Sequence, residues 1–280
     1  MTENEQSTRD MTVVVTGASG RTGRRVAEAA RAAGMTVRGA SRRTGFDWRD
    51  RSTWADVLRG ADAAYLVHPS DVGAPGAAEE VGELARAAAG VGVRRLVLLS
   101  ARGQDRALPT EEALRASGAD WTVVRASWFA QNFSEGPLVE GLRLGGELVF
   151  PGGEVPEPFV DARDIADVVV AVLGDGAYAG RNVEVSGPRL LTWGAAVAEI
   201  GAAAGRALVY RPVPPRAYGE VLTSLGVPDG EAAFLVELFA SLLDGRNAYV
   251  SDGVERVLGR PPRDFTEFAR DAAARGTWKV

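Results

Sequence analysis

A strand, a glycine-rich turn and a helix follow one another near the start of the chain, and this order constrains the fold more than any other feature. Residues 11–16 (MTVVVT) form a β-branched, apolar run that is typical of a buried parallel strand. Residues 21–33 have the pattern of a helix. Because only residues 17–20 separate the two elements, the sequence predicts the tight strand-to-helix crossing that opens a βαβ unit.

Three glycines in this crossing indicate a phosphate-bearing ligand. Gly17 permits the tight turn, Gly20 lets a pyrophosphate approach the backbone, and Gly23 allows the helix to pack closely on the strand. The free N–H groups and the positive dipole end of the helix also attract phosphate, and hydroxyl side chains in the turn add donors. The predicted cofactor contacts in this turn are Gly17, Ser19, Gly20, Arg21, Thr22 and Gly23.

The end of the second predicted strand indicates which dinucleotide binds. A site that selects NAD(H) places a carboxylate there to accept a hydrogen bond from the ribose 2′-hydroxyl. This chain instead reads Val37-Arg-Gly-Ala-Ser-Arg-Arg43, with three arginines and no acid. A guanidinium suits a 2′-phosphate because it forms charge-assisted hydrogen bonds. The sequence therefore predicts NADP(H) as the cofactor, with Arg42, which lies nearest the strand end, on the phosphate.

Strands and helices alternate through the first half of the chain. Further apolar strands are predicted at residues 36–40, 62–67, 94–99 and 121–125, with helices at residues 77–91 and 111–117. This alternation predicts an α/β fold with a Rossmann-type, doubly wound parallel sheet and right-handed crossovers.

The pattern changes after about residue 145, where prolines interrupt the chain and helical segments dominate. We predict a flexible tail at residues 1–10 and an NAD(P)-binding Rossmann core at residues 11–150. Residues 151–280 are predicted to hold the remaining core elements and a small, mainly helical C-terminal lobe that binds the substrate. The elements of this lobe are short and interrupted, which argues against an independent domain.

The composition excludes several kinds of chemistry. The chain has no cysteine, its single histidine is His68, and its single lysine is Lys279. Disulfides, thiolate catalysis and a multi-histidine metal site are therefore excluded, and no metal is predicted. A net charge of −5 and the lack of a long apolar run argue against nucleic acid or a membrane as a partner. We expect a soluble, cytoplasmic protein, monomeric or homodimeric, that acts on a small molecule.

Motifs spread over nearly the whole chain carry a family resemblance. They are the Gly17–Gly23 turn, Phe46-Asp-Trp48, Tyr65-Leu-Val-His-Pro69, Leu98-Leu-Ser-Ala-Arg102, Trp121–Phe133, Phe159–Ile165 and Val185-Ser-Gly-Pro188. Together they resemble the NmrA-like atypical short-chain dehydrogenases/reductases. The branch that the chain resembles most contains NAD(P)H-dependent quinone reductases and the iminium-reducing enzymes of ergot alkaloid pathways. Other members of the family are redox-sensing regulators that bind the dinucleotide without turnover.

The resemblance implies roles for residues outside the glycine turn. Asp47 and Trp48 are expected to flank the adenine, and His68 and Pro69 to lie along the cofactor. The segment Ser127–Phe129 is expected near the nicotinamide, with Ser127 in contact with the cofactor.

The chain lacks the proton donor that most short-chain dehydrogenases use, which is a tyrosine whose pKa is lowered by a lysine four residues later. None of the five tyrosines has such a lysine, although Ser100 ends its strand where the usual catalytic serine would stand. An ordinary ketone needs a proton donor as hydride arrives, whereas a quinone or an iminium ion is already strongly electrophilic. We therefore expect hydride transfer from NADPH to a quinone or an imine/iminium.

Candidate substrate residues follow the carboxyl ends of two predicted strands, where open α/β sheets bind ligands. They are Ser100, Trp128, Phe129 and Asn132, with the helix Phe234–Phe239 as a lid. If an acid is needed, His68, the only imidazole, and Ser100 are the candidate catalytic residues. Two alternatives stay open, namely a non-catalytic NAD(P)-sensing regulator and a cofactor-dependent isomerase or dehydratase.

Overall fold

The structure, a computed structural model, describes residues 11–280, and the predicted tail at residues 1–10 lies outside the described residues. The chain forms two compact units. Unit 1 contains the described chain up to Ala126 together with Ala162–Val185 and Asp252–Pro261. Unit 2 contains Ser127–Asp161, Ser186–Ser251 and Pro262–Val280. Each unit is thus assembled from segments that are far apart in the sequence.

The elements are numbered in chain order over the described residues. The strands are β1 Thr12–Thr16, β2 Thr36–Ala40, β3 Ala63–Leu66, β4 Arg95–Ala101, β5 Asp120–Ala126, β6 Glu147–Phe150, β7 Arg181–Val185 and β8 Val209–Pro212. The helices are α1 Gly23–Ala32, α2 Trp54–Leu58, α3 Ala77–Gly90, α4 Leu108–Arg115, α5 Ala162–Gly174, α6 Trp193–Ala204, α7 Pro215–Ser224, α8 Asp229–Leu242, α9 Gly253–Leu258 and α10 Phe265–Ala274. Short helical turns lie at Arg42–Thr44, Arg51–Thr53, Asp105–Ala107, Ala130–Phe133, Leu138–Glu140, Gly141–Gly145 and Gly176–Tyr178.

Unit 1 is built on a six-stranded parallel sheet in the order β2-β1-β3-β4-β5-β7. Strand β1 is apolar along its length because Val13, Val14 and Val15 are all fully buried. Helix α1 packs against α5, and α3 packs against α2 and α4. The predicted α/β parallel sheet is confirmed. The strand order reverses between β1 and β3, so the carboxyl edge of these strands is the switch point at which open α/β sheets bind ligands.

Unit 2 contains a small parallel sheet of β6 and β8 that the sequence analysis did not predict. Helices α6 and α10 pack against each other, as do α7 and α8. The core of this unit is rich in aromatic side chains, which include Phe133, Phe150, Phe159, Trp193 and Trp278. This core therefore depends on ring packing more than the aliphatic core of unit 1 does.

Residues 11–280 contain neither a membrane-spanning helix nor a cluster of metal-ligating side chains. No helix in this range is both long and apolar enough to cross a membrane. No group of three or more His, Cys, Asp or Glu side chains in the same range is arranged to hold a metal ion.

Candidate functional site

The turn between β1 and α1 is as tight as its glycines predict. Gly17 has a φ of +59°, and a Cβ on this residue would lie 2.8 Å from Val67 Cγ1. The N–H of Gly20 donates to the carbonyl oxygen of Gly17 at 2.7 Å. A Cβ on Gly23 would lie 2.1 Å from that same oxygen, which no side chain tolerates. Gly23 thus allows α1 to begin directly against the turn.

The first turn of α1 presents donors that lack acceptors. Within the described chain, the backbone N–H groups of Thr22 and Gly23 donate to no protein acceptor. This first turn contains no acidic side chain and no side-chain cap, and its residues include Arg24 and Arg25. Positive side chains at a helix N-terminus are unfavourable unless an anion is bound there. These features fit the pyrophosphate of a dinucleotide.

A buried tyrosine holds the hydroxyl of Thr22 in place. Tyr65 on β3 is fully buried, and its hydroxyl donates to Thr22 Oγ1 at 3.0 Å. Burial raises the pKa of Tyr65 far above its usual value, so this hydroxyl stays protonated. Thr16, the last residue of β1, contacts the residue that follows β3: its Oγ1 accepts a hydrogen bond from the N–H of Val67 at 2.8 Å. The O–H of Thr22 donates to no residue in the described part of the chain, as a contact with a phosphate oxygen requires.

The three arginines on and after β2 differ in what they contact. Arg38 donates to the carbonyl oxygens of Val57 and Arg59 at 2.6 and 2.8 Å. Arg42 and Arg43 are exposed, and neither guanidinium forms a hydrogen bond or an ion pair with any residue between 11 and 280. Arg38 therefore supports the fold, whereas the charges of Arg42 and Arg43 are not used within the described residues, as a contact with a 2′-phosphate requires.

Asp47 and Trp48 lie in a compact turn after β2. Asp47 Oδ1 accepts from the N–H of Arg49 at 3.0 Å, and the Asp47 carbonyl accepts from Trp54 Nε1 at 2.8 Å. Trp48 is largely buried, and its ring packs edge-on against that of His68, with the centroids 5.5 Å apart. Folding thus brings together Trp48 and His68, which the family resemblance places beside the cofactor. The Asp47 carboxylate stabilises the turn itself.

His68 is paired with Glu80 of α3. Its Nε2 lies 2.9 Å from Glu80 Oε2, and its side chain is only 6 % exposed. An ionised carboxylate only accepts hydrogen bonds, so Nε2 carries the proton and Nδ1 presents a lone pair in the neutral ring. Nδ1 is buried and has no partner among residues 11–280, and the neighbouring Pro69 is exposed. The imidazole is therefore fixed in orientation, and neither nitrogen is open to a substrate in this conformation.

Ser100 belongs to a buried charge network at the end of β4. Its hydroxyl donates to Glu111 Oε1 at 2.8 Å, and Arg125 donates to both oxygens of that carboxylate at 2.9 and 2.6 Å. Arg115 donates to Glu111 Oε2 at 2.8 Å. Burial alone would raise the pKa of Glu111, but the hydrogen bonds from Arg125 and Ser100 outweigh it and lower the pKa.

This network occupies the side chain of Ser100. The residue is 3 % exposed, and its hydroxyl proton is committed to Glu111. Ser100 thus supports the end of β4 through the Glu111 carboxylate in this structure. The catalytic and substrate-binding roles expected from the sequence stay predictions.

Unit 2 contains a set of packed aromatic side chains that we call the ring cluster, namely Trp128, Phe150, Trp193, Tyr218 and Phe239. The ring of Trp128 contacts several others, with centroids 5.8 Å from Phe150, 5.2 Å from Trp193 and 5.6 Å from Phe239. Phe150 and Trp193 are 4.2 Å apart. Each such pair contributes about 0.5–1.5 kcal/mol beyond the area it buries. Trp128, expected at the substrate, and Phe239, expected in a lid, are thus brought together.

The other substrate and cofactor residues expected in unit 2 lie close to Trp128 in sequence. Ser127 is buried, and its hydroxyl donates to the carbonyl of Pro158 at 2.7 Å, so it holds this loop. Phe129 forms a β-bridge with Val160, and both Phe129 and Asn132 are half-buried. Trp128 is half-buried as well, so neither Trp128 nor Phe129 is fully enclosed by the protein.

Three members of the ring cluster were absent from the predicted site residues. Phe150, Trp193 and Tyr218 come from segments far from Trp128, so no local spacing connects them. One local signal was present, because glycines beside a strand mark close approach of another group. A Cβ on Gly152 would lie 2.3 Å from Trp193 Cδ1.

Comparison with known proteins agrees with this geometry. Residues 13–108 match the model of the NAD dependent epimerase/dehydratase family. A (4-alkanoyl-5-oxo-2,5-dihydrofuran-3-yl)methyl phosphate reductase of Streptomyces griseus is 33% identical, covering 93% of this chain and 98% of that protein. An NAD(P)H azoreductase of Xenophilus azovorans is 31% identical, covering 89% of this chain and 88% of that protein.

A solved structure shares the fold. An NADPH-dependent quinone oxidoreductase from Escherichia coli, complexed with NADPH, superimposes with a TM-score of 0.76 at 22% identity, covering 93% of this chain and 99% of that one. The two reductases described above resemble this chain over most of their length, and that likeness establishes the family. The chain therefore belongs to the NmrA-like, NAD(P)-binding family of atypical short-chain dehydrogenases/reductases and is an oxidoreductase.

Proposed function

We propose that this protein is an NADPH-dependent reductase that delivers hydride to a small electrophilic, partly aromatic substrate, either a quinone or an imine/iminium. The observation that carries the proposal is a complete dinucleotide turn in a chain that has no lysine near any of its tyrosines. When bound, NADPH supplies the hydride, and the protein supplies binding, orientation and an apolar enclosure.

The cofactor is NADP(H) rather than NAD(H). The unpaired N–H groups of Thr22 and Gly23 bind the pyrophosphate, and the unpaired guanidinium groups of Arg42 and Arg43 bind the 2′-phosphate. No carboxylate follows β2 to select the 2′-hydroxyl of NAD(H). The names of the azoreductase and the quinone oxidoreductase, which include NAD(P)H and NADPH, support this assignment.

The substrate binds against the half-buried rings of Trp128 and Phe129. Aromatic walls suit a flat ligand with an apolar face. An acceptor that is already electron-poor needs orientation more than proton transfer, which fits a chain without a tyrosine–lysine pair. An azoreductase and a quinone oxidoreductase among the similar proteins support a reductase of this kind.

Two residues considered as acids take other roles in this proposal. His68 lies along the cofactor beside Trp48 and is held by Glu80, and it transfers no proton. Ser100 supports the end of β4 through Glu111. The proton that completes reduction comes from water.

The test is to titrate the protein with NADPH and NADH by fluorescence and then to add quinones, cyclic imines and simple ketones. We expect NADPH to bind about 100-fold more tightly than NADH, since a 2′-phosphate adds charge-assisted hydrogen bonds. Oxidation of NADPH is expected with a quinone or an imine, and His68→Gln should keep turnover within about threefold. Turnover with ketones alone would contradict the proposal, and binding without turnover would favour a regulator.

A further inference from the structure

Thr22 stands at the N-cap of α1 but does not cap the helix. An N-cap threonine ordinarily accepts, through its hydroxyl oxygen, a hydrogen bond from a backbone N–H two or three residues later. Thr192, the N-cap of α6, follows this rule, because its Oγ1 accepts from the N–H of Ala195 at 3.1 Å. The side chain of Thr22 forms no such bond. Its hydroxyl therefore serves something other than the end of its own helix.

Tyr65 of β3 holds the Thr22 hydroxyl away from the cap. The Tyr65 side chain is fully buried, so its hydroxyl needs a partner inside the protein. It donates to Thr22 Oγ1 at 3.0 Å, and Thr22 is itself only 5 % exposed. Among the described residues, this is the one hydrogen bond that the Thr22 hydroxyl forms.

The direction of this hydrogen bond fixes what the Thr22 hydroxyl offers to a ligand. A hydroxyl has one proton to donate and two lone pairs that accept, and Tyr65 occupies one of the lone pairs. Threonines in helices commonly donate their proton to a carbonyl oxygen one turn earlier, but no residue between 11 and 280 accepts the proton of Thr22. An anion only accepts hydrogen bonds, so it pairs with a hydroxyl whose proton is free in this way.

The backbone beside Thr22 indicates the same kind of ligand. The N–H groups of Thr22 and Gly23 donate to no acceptor within the described chain, and the first turn of α1 contains no acidic side chain. Two N–H groups and one O–H group at this helix end thus lack an acceptor. A pyrophosphate carries several anionic oxygens and accepts from all three donors.

We propose that Tyr65 is a positioning residue for the cofactor, because it keeps the Thr22 hydroxyl from capping α1 and directs the Thr22 proton to an oxygen of the pyrophosphate. The bound pyrophosphate then completes the N-terminus of α1 in place of a side-chain cap. This inference rests on the proposed function, since it concerns how the same turn binds NADPH. Tyr65 acts on the cofactor only through Thr22.

This role predicts different effects of Tyr65→Phe on stability and on binding. The change releases the Thr22 hydroxyl, which then accepts from an N–H of α1, and this new cap offsets the lost Tyr65 hydrogen bond. We therefore expect the Tm of the unliganded protein to stay within about 2 °C of wild type. The pyrophosphate loses a donor, so the Kd for NADPH should rise by about 10-fold.

Thermal unfolding and fluorescence titration measure the two properties. The second titrant is adenosine 2′-monophosphate, which carries the 2′-phosphate but no pyrophosphate. We expect Tyr65→Phe to leave the Kd for this nucleotide unchanged, a selectivity that a general defect of the fold would not produce. Tyr210→Phe is the matched control, because its hydroxyl donates to the carbonyl of Phe150 at 3.1 Å, in unit 2. This variant should bind both nucleotides as the wild type does.

Two changes at Thr22 test the route through its hydroxyl, and they do so even if Tyr65→Phe fails to fold. Thr22→Val keeps the shape of the side chain without the hydroxyl, and we expect the Kd for NADPH to rise by about 10-fold. Adding Tyr65→Phe to Thr22→Val should cost little further affinity, because both changes remove the same contact. Thr22→Ser keeps the hydroxyl and should bind NADPH within about threefold of the wild type.

Several results would overturn the inference. They are an unchanged Kd for NADPH in Tyr65→Phe or in Thr22→Val, an equal loss of affinity for both nucleotides, and additive losses in the double variant. A Tm that falls by more than about 5 °C at unchanged NADPH affinity would give Tyr65 a purely structural role. If the wild-type protein binds neither NADPH nor NADH, the proposed function itself is overturned.

Discussion

The β1–α1 turn and the ring cluster are built by different physical means. The turn is made mainly of backbone, with Gly17 and Gly23 bringing N–H groups and a carbonyl within van der Waals distance. The ring cluster is made of side chains from five separate segments, and its contacts are non-directional. A charged pyrophosphate needs donors that are aimed in advance, whereas a flat apolar molecule needs only exposed ring surface.

This difference predicts different tolerance to change. A contact of 2.1 Å from a Cβ on Gly23 to a backbone oxygen cannot be relieved by turning a side chain. Ring packing adapts to new shapes by small rotations, at a cost that depends on the neighbours. The similar proteins fit this view, because their names describe reductases of different substrates. Substitutions in each region test this difference.

The largest effect is expected from Gly23→Ala. The added Cβ would lie 2.1 Å from the Gly17 oxygen, so α1 must move away from the turn. We expect the Kd for NADPH to rise by at least about 100-fold, because the N–H donors lose their alignment. Gly90→Ala is the control, since nothing lies within 4 Å of a Cβ there. Equal NADPH affinity of both variants in a fluorescence titration would show that the turn is not the phosphate site.

Arg42→Ala removes charge next to the turn without changing its backbone. We expect the Kd for NADPH to rise by about 10- to 100-fold and the Kd for NADH to change little. Arg59→Ala is a suitable control, because Arg59 is exposed and its pairing with Asp56 is weak at 3.9 Å. Titrations at low and high salt measure both effects. A parallel loss of NADH affinity would contradict a 2′-phosphate contact.

Gly152→Ala tests the ring cluster in the same way that Gly23→Ala tests the turn. The new Cβ would lie 2.3 Å from Trp193 Cδ1 and displace the indole, which packs against Trp128. We expect kcat/KM for a quinone to fall by about 10-fold, with NADPH affinity preserved. Gly145→Ala is the control, because nothing lies within 4 Å of a Cβ at that position. A fall in NADPH affinity as large as the fall in turnover would show that the two regions do not act separately.

Ser100→Ala should affect stability rather than catalysis. It removes one hydrogen bond from the Glu111 carboxylate, which should cost about 1–2 kcal/mol of unfolding free energy, while kcat stays within about threefold. The pKa of Glu111 is lowered in the folded protein, so this contribution is fully present above the unfolded pKa of about 4.3 and is lost as pH falls through the lower pKa of the folded state.

Urea unfolding of wild type and Ser100→Ala at neutral pH and in a series of buffers that descends well below about pH 4 measures this dependence. The two stabilities should differ at neutral pH and converge in acid. A kcat that falls by about 100-fold at unchanged stability would restore the catalytic role expected from the sequence.

The sequence was most informative where the site is local. The turn from Gly17 to Gly23 and the arginines after β2 could be predicted because strand, turn and helix follow one another with fixed spacing. The parallel sheet was predicted for the same reason, since each buried strand is a short apolar run. Strands β6 and β8 were missed because neither is a continuous buried apolar run, as the equally short β3 is: Glu147–Phe150 is buried at alternate residues, and Val209–Pro212 is mostly exposed.

The sequence was least informative where partners come from distant segments. Nothing local to Ser100 indicates that its hydroxyl pairs with Glu111, which Arg125 also binds. The neighbours of Trp128 come from strands and helices far along the chain, so only the folded structure joins them to Tyr218. Side-chain partnerships of this kind depend on tertiary packing, which carries no local sequence signal.

The most direct test of the central claim is to mix the NADPH complex with a quinone in the absence of oxygen and to follow the nicotinamide absorbance. The account predicts that NADPH is consumed and hydroquinone is formed in equal amounts. It would be contradicted by bound NADPH that stays reduced in the presence of every quinone and imine tested.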